Sequence, residues 1–211
     1  MNDGEDWHAW HTRYTDPGSP LSRRLRLVRH HIAAWLDERP GEPVSVLSMC
    51  AGQGDDILTV LASRPDAGRV TATLLEYDPR NVAAARSRVP AHATVSIVRA
   101  DAGDLASYRD AAPADLVIMA GVLGNISDAD THRTILALPR LCAPDATVIW
   151  TRSRRAPDLT PAIRGWLTHA GFAEQSFTAP QDVLFSVGVH RFTGTPQPLT
   201  TGRIFQFVTH A

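Results

Sequence analysis

Apolar runs recur along this chain at short intervals, and segments with a helical stripe separate them. Residues 44–47 (VSVL) form the first run. Little that is polar interrupts it, so it reads as a parallel strand covered on both faces. Residues 69–77 (RVTATLLEY), 94–98 (TVSIV), 114–120 (ADLVIMA) and 146–151 (ATVIWT) repeat the signal. Helices fit between them. Ile57, Leu58, Val60 and Leu61 give the first an apolar face, and residues 79–86 form the second. Ser127 caps a third, with Asp130 three residues on in a capping-box arrangement and Pro139 bending its end. Thr160-Pro161 opens a fourth, which Gly171 stops. Ahead of all of these, Ser19-Pro20 starts a helix that carries Leu21, Leu25, Val28, Ile32, Trp35 and Leu36 on one stripe. The arginines at 23, 24, 26 and 29 then fall on its solvated side, and Arg39-Pro40-Gly41 ends it. Residues 172–178 and 203–209 alternate as strands, and 184–192 does so less regularly. The predicted architecture is α/β: a doubly wound, mostly parallel, seven-stranded Rossmann-like sheet with an antiparallel edge.

Composition narrows the class. The chain has 211 residues, 44% of them hydrophobic, which suits one α/β domain with a full core. Its 21 basic and 22 acidic residues nearly cancel, so no bulk attraction to nucleic acid or to a membrane surface is expected. The two cysteines, Cys50 and Cys142, stand in apolar surroundings outside any metal spacing, as buried thiols of a reducing compartment do. The acidic start MNDGEDWHAW has no signal-peptide core, and no apolar run approaches the ~20 residues of a membrane span. The expectation is a cytoplasmic protein without metal, monomeric or homodimeric.

In such sheets ligands bind outside the carboxyl ends of the strands, and the candidate chemistry collects there. Ala51-Gly52-Gln53-Gly54 follows the first strand as a small-residue turn that the backbone of a ligand site needs, with Asp55 and Asp56 opening the next helix. A GxG pair alone equally marks a tight turn. Glu76 ends the second strand 22 residues after Gly54, near the ~20 expected of a carboxylate that accepts from ribose hydroxyls. Asp78 beside it also suits a plain helix cap. Asp101-Ala102 follow the third strand, and Ala120-Gly121 with Asn125 follow the fourth. Arg152, Arg154 and Arg155 follow the fifth, where they can hold a carboxylate or phosphate or simply be solvated. At the N-terminus, residues 7–14 (WHAWHTRY) place Trp7, Trp10, His11 and Tyr14 on one helical face. That face is either a plain cap or a lid with aromatic walls over a pocket.

Together, the turn at 51–54, Glu76, Asp101, the segment after strand four and the run LPRLCAPDATVIWT (138–151) resemble the class I S-adenosylmethionine-dependent methyltransferases. The resemblance spans roughly residues 44–207 and is to small actinobacterial-type members. It makes 41–211 the Rossmann-like methyltransferase domain, and the helical segments ahead of it make residues 1–40 an N-terminal lid or cap. It further implies that Ala51, Gly52 and Gly54 pass under the methionine and ribose of the cofactor and that Glu76 holds both ribose hydroxyls. Asp101 would accept from the adenine amino group, the Ala102 amide would donate to the ring, and the backbone of Ala120 and Gly121 would line the cofactor. Two positions depart from the family pattern. Ser48 stands where an acidic residue is usual and Cys50 where a glycine is usual. Contact with the cofactor's amino group is then expected to move to Asp55 or Asp56.

The expected activity is methyl transfer to oxygen or nitrogen of a small, possibly acidic, molecule, by in-line displacement. Candidate bases are His8 and His11 on the presumed lid, then His132. Candidate substrate contacts are Trp7, Trp10, Tyr14, Asn125, Arg152 and Arg154. Two alternatives use the same fold: a non-catalytic cofactor-binding sensor or scaffold, and an NAD(P)-dependent oxidoreductase. The second is disfavoured because isoleucine, Ile57, stands where the dinucleotide motif wants its third glycine.

Overall fold

The computed structural model describes residues 16–208. Helix α1 (Pro20–Asp37) precedes β1 (Val44–Met49), α2 (Ile57–Ala62), β2 (Val70–Glu76), α3 (Pro79–Arg86) and β3 (Thr94–Arg99). Then come β4 (Ala114–Met119), α4 (Asp128–Ala137), β5 (Cys142–Ser153), α5 (Thr160–His169), β6 (Phe172–Thr178) and β7 (Phe185–Phe192). The seven strands lie in the order β3-β2-β1-β4-β5-β7-β6. The pairs among β1 to β5 are parallel, whereas β7 runs antiparallel to both β5 and β6. The order reverses beside β1, so the crevice at the carboxyl ends opens between β1 and β4.

The uninterrupted apolar runs are explained by two cores. Val46, Leu116, Ile118 and Ile149 pack under α1, α2 and α3, while Leu47, Val117, Met119, Val148 and Trp150 pack under α4 and α5. Successive residues thus serve opposite faces, and both faces are predominantly apolar. Helix α1 belongs to this packing, since Val28, Ile32, Trp35 and Leu36 are all buried. Its cap is the one expected: the Ser19 hydroxyl accepts from Ser22 N at 3.1 Å, ahead of Pro20. No helix among the described residues is long and apolar enough to cross a membrane.

Two departures bear on the site. The β3–β4 link holds only a 3-10 turn, Leu105–Tyr108, so part of the sheet on the α4 side stays open. Thr71, Thr94, Ser96 and Val98 are exposed there, and the hydroxyls of the first three suit water. The second departure is a correction. The segment from 203 was expected to be a strand and residues 184–192 the weaker one. Instead β7 is a full strand, and residues 203–208 make only isolated bridges, Asp104 with Arg203 and Ile126 with Phe207. The reason is that β7 already has strands on both sides. The last segment therefore crosses the carboxyl end of the sheet, with Ile204 and Phe205 buried.

One buried polar contact sets a pH dependence. His190 on β7 is 0% exposed, and its Nδ1 accepts from the indole of Trp150 at 3.2 Å. Nδ1 is thus unprotonated and Nε2 carries the hydrogen, 3.6 Å from the Glu174 carboxylate, which itself pairs with Arg164. Burial holds the imidazole at about 4, below its ordinary 6.5; Glu174 opposes this and Arg164 adds to it. Below the ordinary value the unfolded chain takes up a proton that the folded chain refuses. Stability is full above pH 6.5 and is lost as the pH falls toward 4. Between about pH 7.5 and about pH 5 the loss from this group is about 2 kcal/mol, or ~4–8 °C in Tm. Calorimetric scans of wild type and His190→Gln check this: the variant's decline over the same range is expected to be shallower by that amount.

Candidate functional site

The end of β1 turns through three left-handed residues. Cys50 has φ 50°, Gly52 φ 57° and Gly54 φ 70°. Gly54 N donates to the Ala51 carbonyl at 2.9 Å, and Ala51 N donates to the Leu75 carbonyl at 2.9 Å, which ties the turn to β2. A Cβ on Gly54 would stand 2.6 Å from Leu58 Cδ1, so glycine here lets α2 approach the sheet. Cys50 accepts the same left-handed region with a side chain, at a cost of about 1 kcal/mol. Burial, and then the nearby Glu76 and Asp101 carboxylates, push its thiol well above the ordinary value, so it stays protonated.

The Glu76 carboxylate is the fixed point of the site. It is 8% exposed. One oxygen, Oε2, accepts from Gly52 N at 2.8 Å, and the other, Oε1, accepts from Asp78 N at 2.8 Å. The turn after β1 and the turn after β2 thus aim one carboxylate, and each oxygen keeps a further lone pair. Asp78 caps α3 by accepting from Arg80 N at 2.8 Å, and its ion pair with Arg80 holds it below the ordinary carboxylate value. Asp101 Oδ1 accepts from Gly103 N at 2.8 Å, while Oδ2 pairs with Arg203 at 2.8 Å.

These groups surround a cavity of about 930 Å³ at the carboxyl ends of β1, β2 and β4. Of the residues expected to touch a cofactor, Cys50, Ala51, Gly52, Asp55, Asp56, Glu76, Asp78, Asp101, Ala102, Ala120 and Gly121 line it. Asn125 lines it too, with its amide donating to the Gly121 carbonyl at 2.6 Å. Asp56 also caps α2, accepting from Ile57 N at 2.7 Å, and burial raises its pKa. Asp55 is 2.6 Å from Arg88.

Other candidates lie elsewhere, for local reasons. Ser48 is buried within the sheet at the next-to-last position of β1, and Gly54 faces α2; neither lines the cavity. Arg152 turns away to the Leu123 carbonyl and, at 3.1 Å, to Asp128. Arg154 donates to the carbonyls of Pro180 and Val183, where it fastens the loop before β7. His132 is exposed on α4 and stacks on Trp166 of α5, with ring centroids 4.6 Å apart. Trp7, His8, Trp10, His11 and Tyr14 lie outside the described residues.

Sequence reasoning missed three cavity walls: Arg24, Leu25 and Val28 of α1; Tyr77 and Asn81 after β2; and Arg203, Phe205, Gln206 and Phe207 of the last segment. Tyr77 alone had a local signal, since it directly follows Glu76 at the end of β2. The others carry no local signal, since tertiary packing alone brings them to the rim.

The family described as "Methyltransferase domain" matches residues 49–150, from the last residue of β1 into β5, a range that holds Asp55, Asp56, Glu76, Asp78 and Asp101. No curated protein matches the chain. Several solved structures share its fold. The 1,6-didemethyltoxoflavin-N1-methyltransferase of Burkholderia thailandensis, with bound 1,6-didemethyltoxoflavin and S-adenosylhomocysteine, is 17% identical over 89% of this chain and 84% of its own, with a TM-score of 0.66. The magnesium protoporphyrin IX methyltransferase of Synechocystis, with bound SAM, is 16% identical over 91% and 100%, with a TM-score of 0.65. The N-methyltransferase NodS of Bradyrhizobium japonicum is 19% identical over 85% and 100%, with a TM-score of 0.60.

Proposed function

We propose that this chain, whose residues 49–150 match a methyltransferase domain, moves the sulfonium methyl of S-adenosylmethionine to an oxygen or nitrogen of a small molecule with an acidic group. The observation that carries the reading is Glu76, a carboxylate locked by the Gly52 and Asp78 amides and facing a cavity large enough for cofactor and acceptor together. The residues fit the cofactor. Glu76 would hold both ribose hydroxyls with its remaining lone pairs, and Asp101 and the Ala102 amide would take the adenine edge. Gly121 N is held by Thr151 Oγ1 at 2.8 Å, so the backbone after β4 is fixed where the cofactor passes.

The cofactor brings an activated methyl on a sulfonium, so the protein's task is to align, to exclude water and to manage one proton. Leu25, Val28, Asn125 and Phe207 form the walls left for the acceptor. Arg24 reaches the same space, its Nη2 standing 3.8 Å from where a Cβ on Gly121 would be. An acidic group of the acceptor would meet that guanidinium, which takes over the role first given to Arg152 and Arg154. None of the histidines among the described residues lines the cavity. If the acceptor must lose a proton, His8 or His11 is the residue to take it.

Calorimetric titration with S-adenosylmethionine, S-adenosylhomocysteine and NAD tests the reading. The two sulfur nucleosides are expected to bind and NAD is not. A screen of small carboxylates and phenols for methyl transfer follows. Binding of the cofactor without turnover on any acceptor would favour the sensor alternative. Binding of NAD alone would overturn the reading.

A further inference from the structure

The last segment of the chain is stitched to two loops of the site. Leu105 N donates to the Gly202 carbonyl at 2.9 Å and Ile204 N to the Gly103 carbonyl at 2.8 Å, on the loop after β3. Val208 N donates to the Asn125 carbonyl at 2.9 Å, on the loop after β4. The contact at Gly103 is flush, because a Cβ there would lie 2.3 Å from the Phe205 carbonyl. This strap carries Arg203 to the mouth of the cavity. Arg203 Nη1 donates to the Phe205 carbonyl at 3.1 Å, which fixes the guanidinium against its own backbone, and Nη2 reaches Asp101 Oδ2 at 2.8 Å.

The pair is half exposed, with 50% and 43% of the two side chains open to water. Exposed pairs of this kind add little to stability, so holding the fold is a poor explanation of it. Its geometric effect is larger. With Gly103 N on Oδ1 and Arg203 on Oδ2, the Asp101 carboxylate has one orientation at the cavity that Asp101 lines. We infer that Arg203 is a positioning residue of the cofactor site, acting through Asp101 on recognition of the adenine amino group. The inference rests on the proposed cofactor role of Asp101. It places a determinant of cofactor selectivity 102 residues away in sequence, beyond the last strand and outside the matched region 49–150.

The experiment compares two probes, S-adenosylhomocysteine and S-inosylhomocysteine, which lacks the amino group. Wild type is expected to prefer the adenosyl compound. Arg203→Ala is expected to lose about tenfold in affinity for it while affinity for the inosyl compound stays within about twofold. Arg203→Lys, which keeps a cation in reach of Asp101, is expected to recover most of the loss. Thermal unfolding of both variants should match wild type. An equal loss for both probes would make the strap a plain wall and overturn the inference, as would no loss at all. Failure of wild type to bind either probe would overturn the cofactor reading and this inference with it, and is distinguished from the other outcomes by needing no variant.

Discussion

Glu76→Gln is expected to weaken S-adenosylhomocysteine binding by about 100-fold or more. The carboxylate accepts from two backbone amides and, in the proposed complex, would also accept from two ribose hydroxyls. Hydrogen bonds to a charged acceptor are worth about 1.5–3 kcal/mol each, and two of them give ~3–6 kcal/mol, or two to four powers of ten in affinity. The amide is a sharper test than alanine because it keeps the volume. It still presents an NH2 to either Gly52 N or Asp78 N, where donor would face donor, so one loop must shift. That adds to the loss in binding and costs about 1–3 kcal/mol in stability. Calorimetric titration reads the first effect and chemical unfolding the second. Unchanged affinity in a folded variant would remove Glu76 from the cofactor site.

Gly188→Ala is expected to cost about 3 kcal/mol, a fall of roughly 6–12 °C in Tm. Gly188 sits in β7 opposite Trp150, and a Cβ added there would stand 2.3 Å from the indole Cε2. Trp150 is fully buried and its Nε1 donates to His190, so it cannot swing aside without breaking that bond. Gly165→Ala is the matched control. It lies exposed inside α5 with nothing within 4 Å of its Cβ, so alanine there should stabilise by ~0.5–1 kcal/mol. Paired thermal scans decide. If both variants melt like wild type, the packing of Trp150 against β7 is looser than described.

Much of this architecture is legible locally. Residues of β1, β4 and β5 serve a core on each face, so each run had to be apolar without alternation, and the runs announced a parallel sheet. The turn after β1 and the acid ending β2 are also readable, because their residue types answer local demands: positive φ at Gly52 and Gly54, and a carboxylate at a strand's carboxyl end. The resemblance drawn from them agrees with the matched family. The arginines misled for an equally physical reason. Position at the end of β5 suggests the rim for Arg152 and Arg154, but the carbonyls of Leu123, Pro180 and Val183 take their guanidinium donors.

What the residues determine by themselves, then, is whatever follows from contacts close in the chain: the strand and helix periods, the caps at Ser19 and Ser127, the tight turn at 51–54 and the placing of Glu76 beyond it. Tertiary structure alone decided the rest. β7 took the place between β5 and β6, and residues 203–208 cross the open end of the sheet instead of joining it. That crossing joins Arg203 to Asp101 and closes the cavity with Phe205 and Phe207, while α1 brings in Arg24 from the other side. Such contacts join residues about a hundred positions apart. No propensity or spacing encodes them, because they depend on which edge of the sheet is already filled when the last segment packs.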